Sequence, residues 1–346
     1  MIDMQETMLE LDAARTACAR AADWLGSHVG SDGEPADAAE RNGWSRLGWG
    51  LAVAGRPDAA AAVVSWIARN RIAADGGFQP GRLRGQDYIA VYPHYWLGTF
   101  VVSAWLAGRL DVAMRSMAYL RTRQDTQTGG IPMVSEADGE PVCDMLSTAQ
   151  VGLGALVTGD RETAEKCALW VRALAEQSAG ESLVFHSCRK GADLWIDPDP
   201  AFVWSAVADF SRPRQAYYTP GMGAVFLARF AARYGCAQSI AAARRLLAFN
   251  LNGSSAQFDD LASVQACKFG WAVAEMALAD PEGDWHPWVQ RMTRWFLDRQ
   301  SQEGAWGPSA FAMAAPSLAD RLVKTSEHLM ELSVCMAALG AVGAGR

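Results

Sequence analysis

Six segments of this chain share one composition: GWSRLGWGLAVAG (43–55), HYWLGTFVVSAWLAG (94–108), DMLSTAQVGLGALVTG (144–159), YYTPGMGAVFLARFAARYG (217–235), QACKFGWAVAEMALA (265–279) and TSEHLMELSVCMAALG (325–340). Each is rich in Gly, Ala and large apolar residues at i, i+3, i+4 spacing, with apolar residues on most sides, as expected of a helix buried all round. The first five are followed, after a turn such as GRPD, GRLD, TGDR or DPEGD, by a more polar amphipathic helix: 57–70, 109–123, 160–178, 237–250 and 284–299. The sixth has no successor, but an unpaired amphipathic segment of the same kind, roughly residues 5–27, stands at the start. A helical hairpin cannot bury its apolar face alone and does so by stacking on its neighbours. Six apolar helices inside, six amphipathic ones outside and an N-terminal helix closing the ring predict an all-α, single-domain (α/α)6 toroid over residues 1–346.

The outer helices end in recurring punctuation: RNRIAADGGFQPG (69–81), RTRQDTQTGGIPM (121–133) and RQSQEGAWGP (299–308). A glycine permits a left-handed turn after the helix, and the apolar or aromatic residue that follows plugs the gap between hairpins. Gln300, Gly304 and Trp306 resemble the Q-x3-G-x-W repeat of squalene–hopene cyclases and related terpene cyclases. Gly76-Gly77-Phe78 and Gly129-Gly130-Ile131 resemble its degenerate forms in protein prenyltransferase β-subunits. The resemblance covers the repeat framework and implies the α/α toroid and a cyclase-type chemistry. The Asp-x-Asp-Asp acid of class II terpene cyclases has no counterpart, the nearest strings being Asp197-Pro198-Asp199-Pro200 and Asp259-Asp260, and no zinc ligand set of prenyltransferase type has a recognisable spacing.

Composition narrows the function classes. A net charge of −7 without a Lys/Arg run argues against nucleic acid. No apolar run reaches the roughly 18–20 residues of a membrane span, and the N-terminus lacks a signal-peptide layout, so a cytoplasmic protein without an integral membrane segment is expected. Seven cysteines without CxxC spacing disfavour both a disulfide framework and a zinc ribbon. No metal or other cofactor is expected. Fourteen Trp, 12 Phe and 7 Tyr exceed what such a core requires, and some should line a cavity.

Connections from inner to outer segments are short, whereas those from outer to inner are long: 28–42, 71–93, 124–143, 179–216, 251–264 and 300–324. Long loops on a rigid scaffold concentrate function, so the site should open on that face. The longest, 179–216, reads as a lid and carries His186, Trp195, Asp197, Asp199 and Trp204, with Tyr218 just beyond. Asp197 and Asp199 suit Asx turns before proline, or a general acid and base. Tyr92 and His94 flank a proline at the entrance of an inner helix, next to Trp96. A histidine there caps a helix as readily as it moves a proton. Asp144 suits an N-cap, yet an inner-helix N-terminus facing a cavity is also an acid–base position. Lys268 lies in an otherwise apolar inner helix and needs a partner, either Asp259, Asp260 or a ligand carboxylate.

The catalytic candidates are therefore Asp197, Asp199, Asp144, His94 and Tyr218, and the substrate-binding ones Tyr92, Trp96, Trp195, Trp204, His186 and Lys268. They suit a cyclase or isomerase acting by acid–base chemistry on a largely apolar polyene, terpenoid or polyketide-like small molecule. Two alternatives use the same scaffold: a carbohydrate-active toroid of sugar epimerase or unsaturated uronyl hydrolase type, for which Arg82, Arg84, Arg189 and Arg214 would hold a sugar acid, and a non-catalytic toroid that binds an apolar ligand.

Overall fold

The computed structural model describes residues 4–36, 38, 43–79, 91–133, 140–178, 182–198, 203–261, 265–308 and 315–343. Twelve helices longer than one turn run through them. Six form the outside: α1 (Met4–Gly26), α3 (Pro57–Asn70), α5 (Leu110–Arg121), α7 (Arg161–Gln177), α9 (Ala237–Asn252) and α11 (His286–Arg299). The other six alternate with them: α2 (Leu47–Val53), α4 (Pro93–Leu106), α6 (Met145–Thr158), α8 (Tyr218–Tyr234), α10 (Cys267–Ala279) and α12 (Leu318–Gly343). These pack in the cycle α2–α4–α6–α8–α10–α12 and back to α2, which is a closed inner ring. The N-terminal helix α1 packs on α12, α11 and α2, closing the outside as the repeat predicts.

Sequence explains which helix goes where. In α3, Pro57 stands at the first position, Asp58 lies in the first turn and Arg69 in the last, while Ala60, Val63, Val64, Trp66 and Ile67 turn inward. In α4 every residue from His94 to Ala104 is buried, including Thr99 and Ser103, whose hydroxyls donate to the carbonyls of Tyr95 and Thr99 four residues back. A helix without a solvent face has to sit between other helices.

The punctuation of the outer helices proves to be a cross-brace. After α11, Gly304 has φ +94°, and a Cβ on it would lie 2.7 Å from the carbonyl oxygen of Arg20 in α1. Only glycine lets the turn lie flat on the next outer helix. Gln300 spans the same joint, donating through Nε2 to the carbonyls of Ala17 (2.8 Å) and Gly304 (2.9 Å), and Trp306 donates through its indole to the carbonyl of Phe296 at 2.8 Å. Gln124 repeats the arrangement after α5, reaching Gly129 (2.9 Å) and Thr163 of α7 (3.3 Å).

The all-helical expectation needs one addition. Five strands of two or three residues occur where only loop was expected: β1 (Val142–Asp144), β2 (Val184–His186), β3 (Cys188–Lys190), β4 (Asp193–Leu194) and β5 (Val207–Asp209). They form the antiparallel sheets β1-β3-β4 and β2-β5. The long 179–216 connection is thereby fastened by backbone pairing to the segment that opens α6, with Asp144 opposite Cys188.

Candidate functional site

All six inner helices follow the long connections, so they begin on one face. At α6, Asp144 is extended (φ −124°, ψ 158°), and its Oδ1 accepts the Ser147 N–H at 2.9 Å, as an N-cap should. The residue is only 1% exposed, and Oδ2 has no hydrogen-bond partner among the described residues. Burial pushes this carboxyl up to about 6, against the lowering effect of the hydrogen bonds from Ser147 and Leu146. A buried carboxyl with one free oxygen near its point of half-ionisation can hold or deliver a proton.

Strands of the long connection wall in this acid. The Met145 N–H donates to Ser187 O at 2.9 Å, and Ser187 Oγ donates to Ser205 O at 3.0 Å. Tyr92, just before α4 and 1% exposed, donates its phenol to Ser205 Oγ at 2.5 Å. Burial, followed by the charge of Asp144 and then by Tyr218 and Cys188, holds that phenol well above its ordinary range. Asp144 and Tyr218, the half-buried first residue of α8, thus both lie close enough to act on Tyr92.

The other nominated residues make contacts of their own. His94 is buried, its Nδ1 donates to Pro132 O at 2.9 Å, and its Nε2 has no partner among the described residues; burial keeps the ring neutral. It ties the start of α4 to the connection after α5. His186 and Asp197 sit together on the long connection, where Asp197 is exposed and only partly offsets the burial that lowers His186. Trp195 is partly buried beside them. Asp199 and the side chain of Trp204 lie outside the described residues.

The largest departure concerns Lys268. Its partners are neither Asp259, which pairs with Arg291, nor Asp260, which pairs with Arg214, but two glutamates of α12. Lys268 Nζ donates to Glu327 Oε1 and, at 2.6 Å, to Glu331 Oε1. Glu327 also accepts from Arg46 (2.8 Å) and Lys324 (3.0 Å), and Glu331 Oε2 lies 2.9 Å from His328 Nδ1. All of these residues are buried. Desolvation alone would drive the Lys268 ammonium down, but Glu327 and Glu331 outweigh it and hold it above the ordinary lysine range. Burial and then the charge of Lys324 press His328 down to about 4, leaving it neutral. The cluster joins the 43–46 turn that leads into α2 to α10 and α12, and the Arg46 guanidinium reaches α4, lying 5.5 Å from the Tyr95 ring centroid and 5.2 Å from that of Trp96. Trp96, nominated as substrate wall, therefore carries a protein cation over its ring.

Lys324, Glu327 and Glu331 were not among the sequence candidates, although charges at i, i+3 and i+7 in an apolar helix form a stripe that could have been read. Donor atoms of Cys267, Glu327, His328 and Glu331 lie within 4.8 Å of one another, close enough to suggest a metal centre. The ammonium groups of Lys268 and Lys324 already bind these carboxylates, and Lys324 also lies 3.5 Å from Cys267 Sγ, so a metal ion would have to displace two cations. Away from both clusters, a cleft of about 400 Å³ lined by Arg299, Gln300, Trp306 and Arg321 among others opens between α11 and α12 and contains none of the nominated residues.

No sequence-family profile matches the chain, and no curated protein sequence does. Solved structures do. Two structures of the type II terpene cyclase MstE from Scytonema, single-residue variants in complex with the substrate geranylgeranyl dihydroxybenzoate, are similar at TM-scores of 0.59 and 0.55. Each alignment covers 96% of this chain and 99% of the other, at 14% and 15% identity. The likeness extends over the whole ring, and the chain has the α/α toroid fold of a terpene cyclase.

Proposed function

We propose that the protein is a cyclase or isomerase that works by acid–base chemistry on a largely apolar polyene, terpenoid or polyketide-like substrate, with Asp144 as proton donor. The observation that carries this reading is the unpartnered Oδ2 of a buried carboxyl raised to about 6. The fold it shares with a cyclase whose bound substrate bears a geranylgeranyl chain supports it. In the proposed reaction the Asp144 O–H proton forms a C–H bond with one carbon of an alkene, using that alkene's π electrons. The adjacent carbon becomes cationic and is attacked by the next alkene, and loss of a proton from the last cation gives an isomer of the substrate. Tyr92 and Tyr218 bound the acid, and exclusion of water there keeps the cation from being trapped. His94, whose Nε2 keeps its lone pair, is proposed as a terminating base. Asp197, open to solvent, and Asp199 are proposed to exchange the proton with water. The 179–216 connection acts as the lid.

The carbohydrate alternative draws less support. Arg189 donates to Ala192 O on its own connection and Arg214 pairs with Asp260, so each already has a partner, while Arg82 and Arg84 lie outside the described residues. The test is incubation with a panel of linear polyprenyl compounds in D2O, followed by mass spectrometry. An isomeric product carrying one deuterium is expected, and none should form with Asp144→Asn. Turnover of unsaturated uronides instead, with no polyene consumed, would refute the assignment.

A further inference from the structure

The cleft of about 400 Å³ between α11 and α12 takes no part in the chemistry proposed above, and the two charged residues that line it have the same sign. Arg299 closes α11, and Arg321 lies near the start of α12. The cleft belongs to the outer wall of the ring. The Arg321 guanidinium stands 5.1 Å from the Trp24 ring centroid of α1, and Gln300, also in the lining, reaches Ala17 of the same outer helix.

Neither cation is fully matched. Arg299 has no carboxylate within ion-pair distance among the described residues; Asp259 pairs with Arg291 and Asp260 with Arg214. Its Nη2 donates to the carbonyls of Phe258 (2.9 Å) and Asp260 (3.3 Å), Nη1 makes one long contact with Trp295 O (3.4 Å), and Nε has no acceptor among the described residues. Burial outweighs the charges of Asp298, Asp260 and Asp259 and holds this guanidinium below its ordinary range, as expected of a desolvated cation short of anions. Arg321 meets one acid, Glu303, through Nη2, and that carboxylate is 65% exposed. Ser301 adds a third donor, because its Oγ accepts the Ala305 N–H at 3.2 Å and keeps its own proton to give.

Two guanidiniums and a hydroxyl around one cleft suit the oxygens of a tetrahedral oxyanion, which arginine forks bind bidentately. The chain as a whole carries a charge of −7, so the attraction is local to these side chains. The volume exceeds what a bare phosphate fills, and Gly307 and Pro316 offer wall for an organic group. We infer that this cleft is a second ligand site, which binds a phosphate monoester with its phosphoryl group between Arg299 and Arg321. Bound there, the ester fastens the end of α11 to the start of α12 across the cross-brace. The inference does not depend on the cyclase reading.

Isothermal titration calorimetry and thermal melts with phenyl phosphate, dihexanoyl phosphatidic acid and benzyl alcohol test it. At least one ester should bind and raise the melting temperature, and the tighter one tells a soluble ester from a lipid head group; benzyl alcohol should do neither. Arg321→Gln should weaken binding about tenfold or more, as the loss of a charge-assisted contact does. Glu303→Gln removes the competing acid and should strengthen binding about two- to fivefold, a gain that a purely structural ion pair would not give. Asp144→Asn and an excess of farnesol should leave binding unchanged. No binding by either ester, equal binding of benzyl alcohol, or a dissociation constant that Glu303→Gln fails to lower overturns the inference. So does one that Arg321→Gln leaves unchanged, or one raised by Asp144→Asn or farnesol, which moves the phosphate into the ring. Should Arg321→Gln not fold, Glu303→Gln and Asp144→Asn decide.

Discussion

The acid assigned to Asp144 should weaken the fold it caps, and Asp144→Asn measures by how much. The carboxyl is held at about 6 in the folded chain against about 3.9 when unfolded, a difference of roughly two units or about 3 kcal/mol. Because the folded value is the higher one, the folded state binds the extra proton. Well below pH 4 both states are protonated and the residue has no net effect; between about pH 4 and 6 the unfolded chain ionises while the folded carboxyl keeps its proton, so stability falls across that window and the whole penalty applies above about pH 7. Asparagine keeps the Oδ1 that accepts the Ser147 N–H and is itself a favoured N-cap, so the substitution removes charge at nearly constant shape. The variant should be more stable than wild type at pH 8 by up to about 3 kcal/mol, roughly 4 °C in melting temperature for a chain of this length, with the gain vanishing near pH 4. Turnover should fall at least about a hundredfold, the usual worth of a general acid. Thermal melts across pH 4–8 on both proteins, with product assays at pH 7, decide the matter. A variant destabilised equally at every pH would mean that Asp144 is a cap and nothing more, and normal turnover would remove it from the chemistry.

Glu331→Gln leaves Lys268 with one carboxylate and the cluster with three cations on one anion, so chemical denaturation should show a loss of about 3–5 kcal/mol. Gly304→Ala combines a positive φ with a Cβ 2.7 Å from Arg20 O, whereas Gly55→Ala has the positive φ and nothing within 4 Å. The first should cost clearly more than the roughly 1–2 kcal/mol of left-handed strain expected for the second, and equal losses in denaturant melts would dismiss the cross-brace. Elemental analysis of protein purified without added metal should find no stoichiometric transition metal, since Lys268 and Lys324 already bind the carboxylates of the only candidate donor set among the described residues. One equivalent of zinc surviving chelation would contradict this.

Much of the ring could be read from local patterns because each repeat writes its own start, stop and apolar face. Pro57, Asp58 and Arg69 mark both ends of the outer helix 57–70 in the sequence, and the helix runs from Pro57 to Asn70. The last inner helix begins at Leu318 rather than at 325, where Ser317 Oγ accepts the Asp320 N–H; the polar run LADRLVK before Thr325 disguised its first two turns. The small sheets left no trace because strands of two or three residues are too short to alternate, and β1 pairs with a strand more than 40 positions away. The same distance effect governs the site. Asp144 was legible from its place before an inner helix, but its unpartnered oxygen depends on Ser187 and Cys188 folding over it. A lysine in an apolar helix signals that Lys268 needs a partner, but nearness in sequence points to Asp259 and Asp260, whereas the ring brings Glu327 and Glu331 across from the next inner helix.

Stability alone accounts for neither polar cluster. Replacing buried ion pairs with apolar residues of similar volume is often neutral or stabilising, and a buried carboxyl with a free oxygen costs more than an asparagine. Were these groups merely tolerated, the surplus cation and the surplus acid would lower their joint cost by lying together. They are held by separate partners instead: Asp144, at the start of α6, by Ser147, and the cations before α2 and on α10 and α12 by Glu327 and Glu331. A buried carboxyl that can give up a proton is what the proposed cyclisation requires, and Asp144→Asn separates that use from the cap alone.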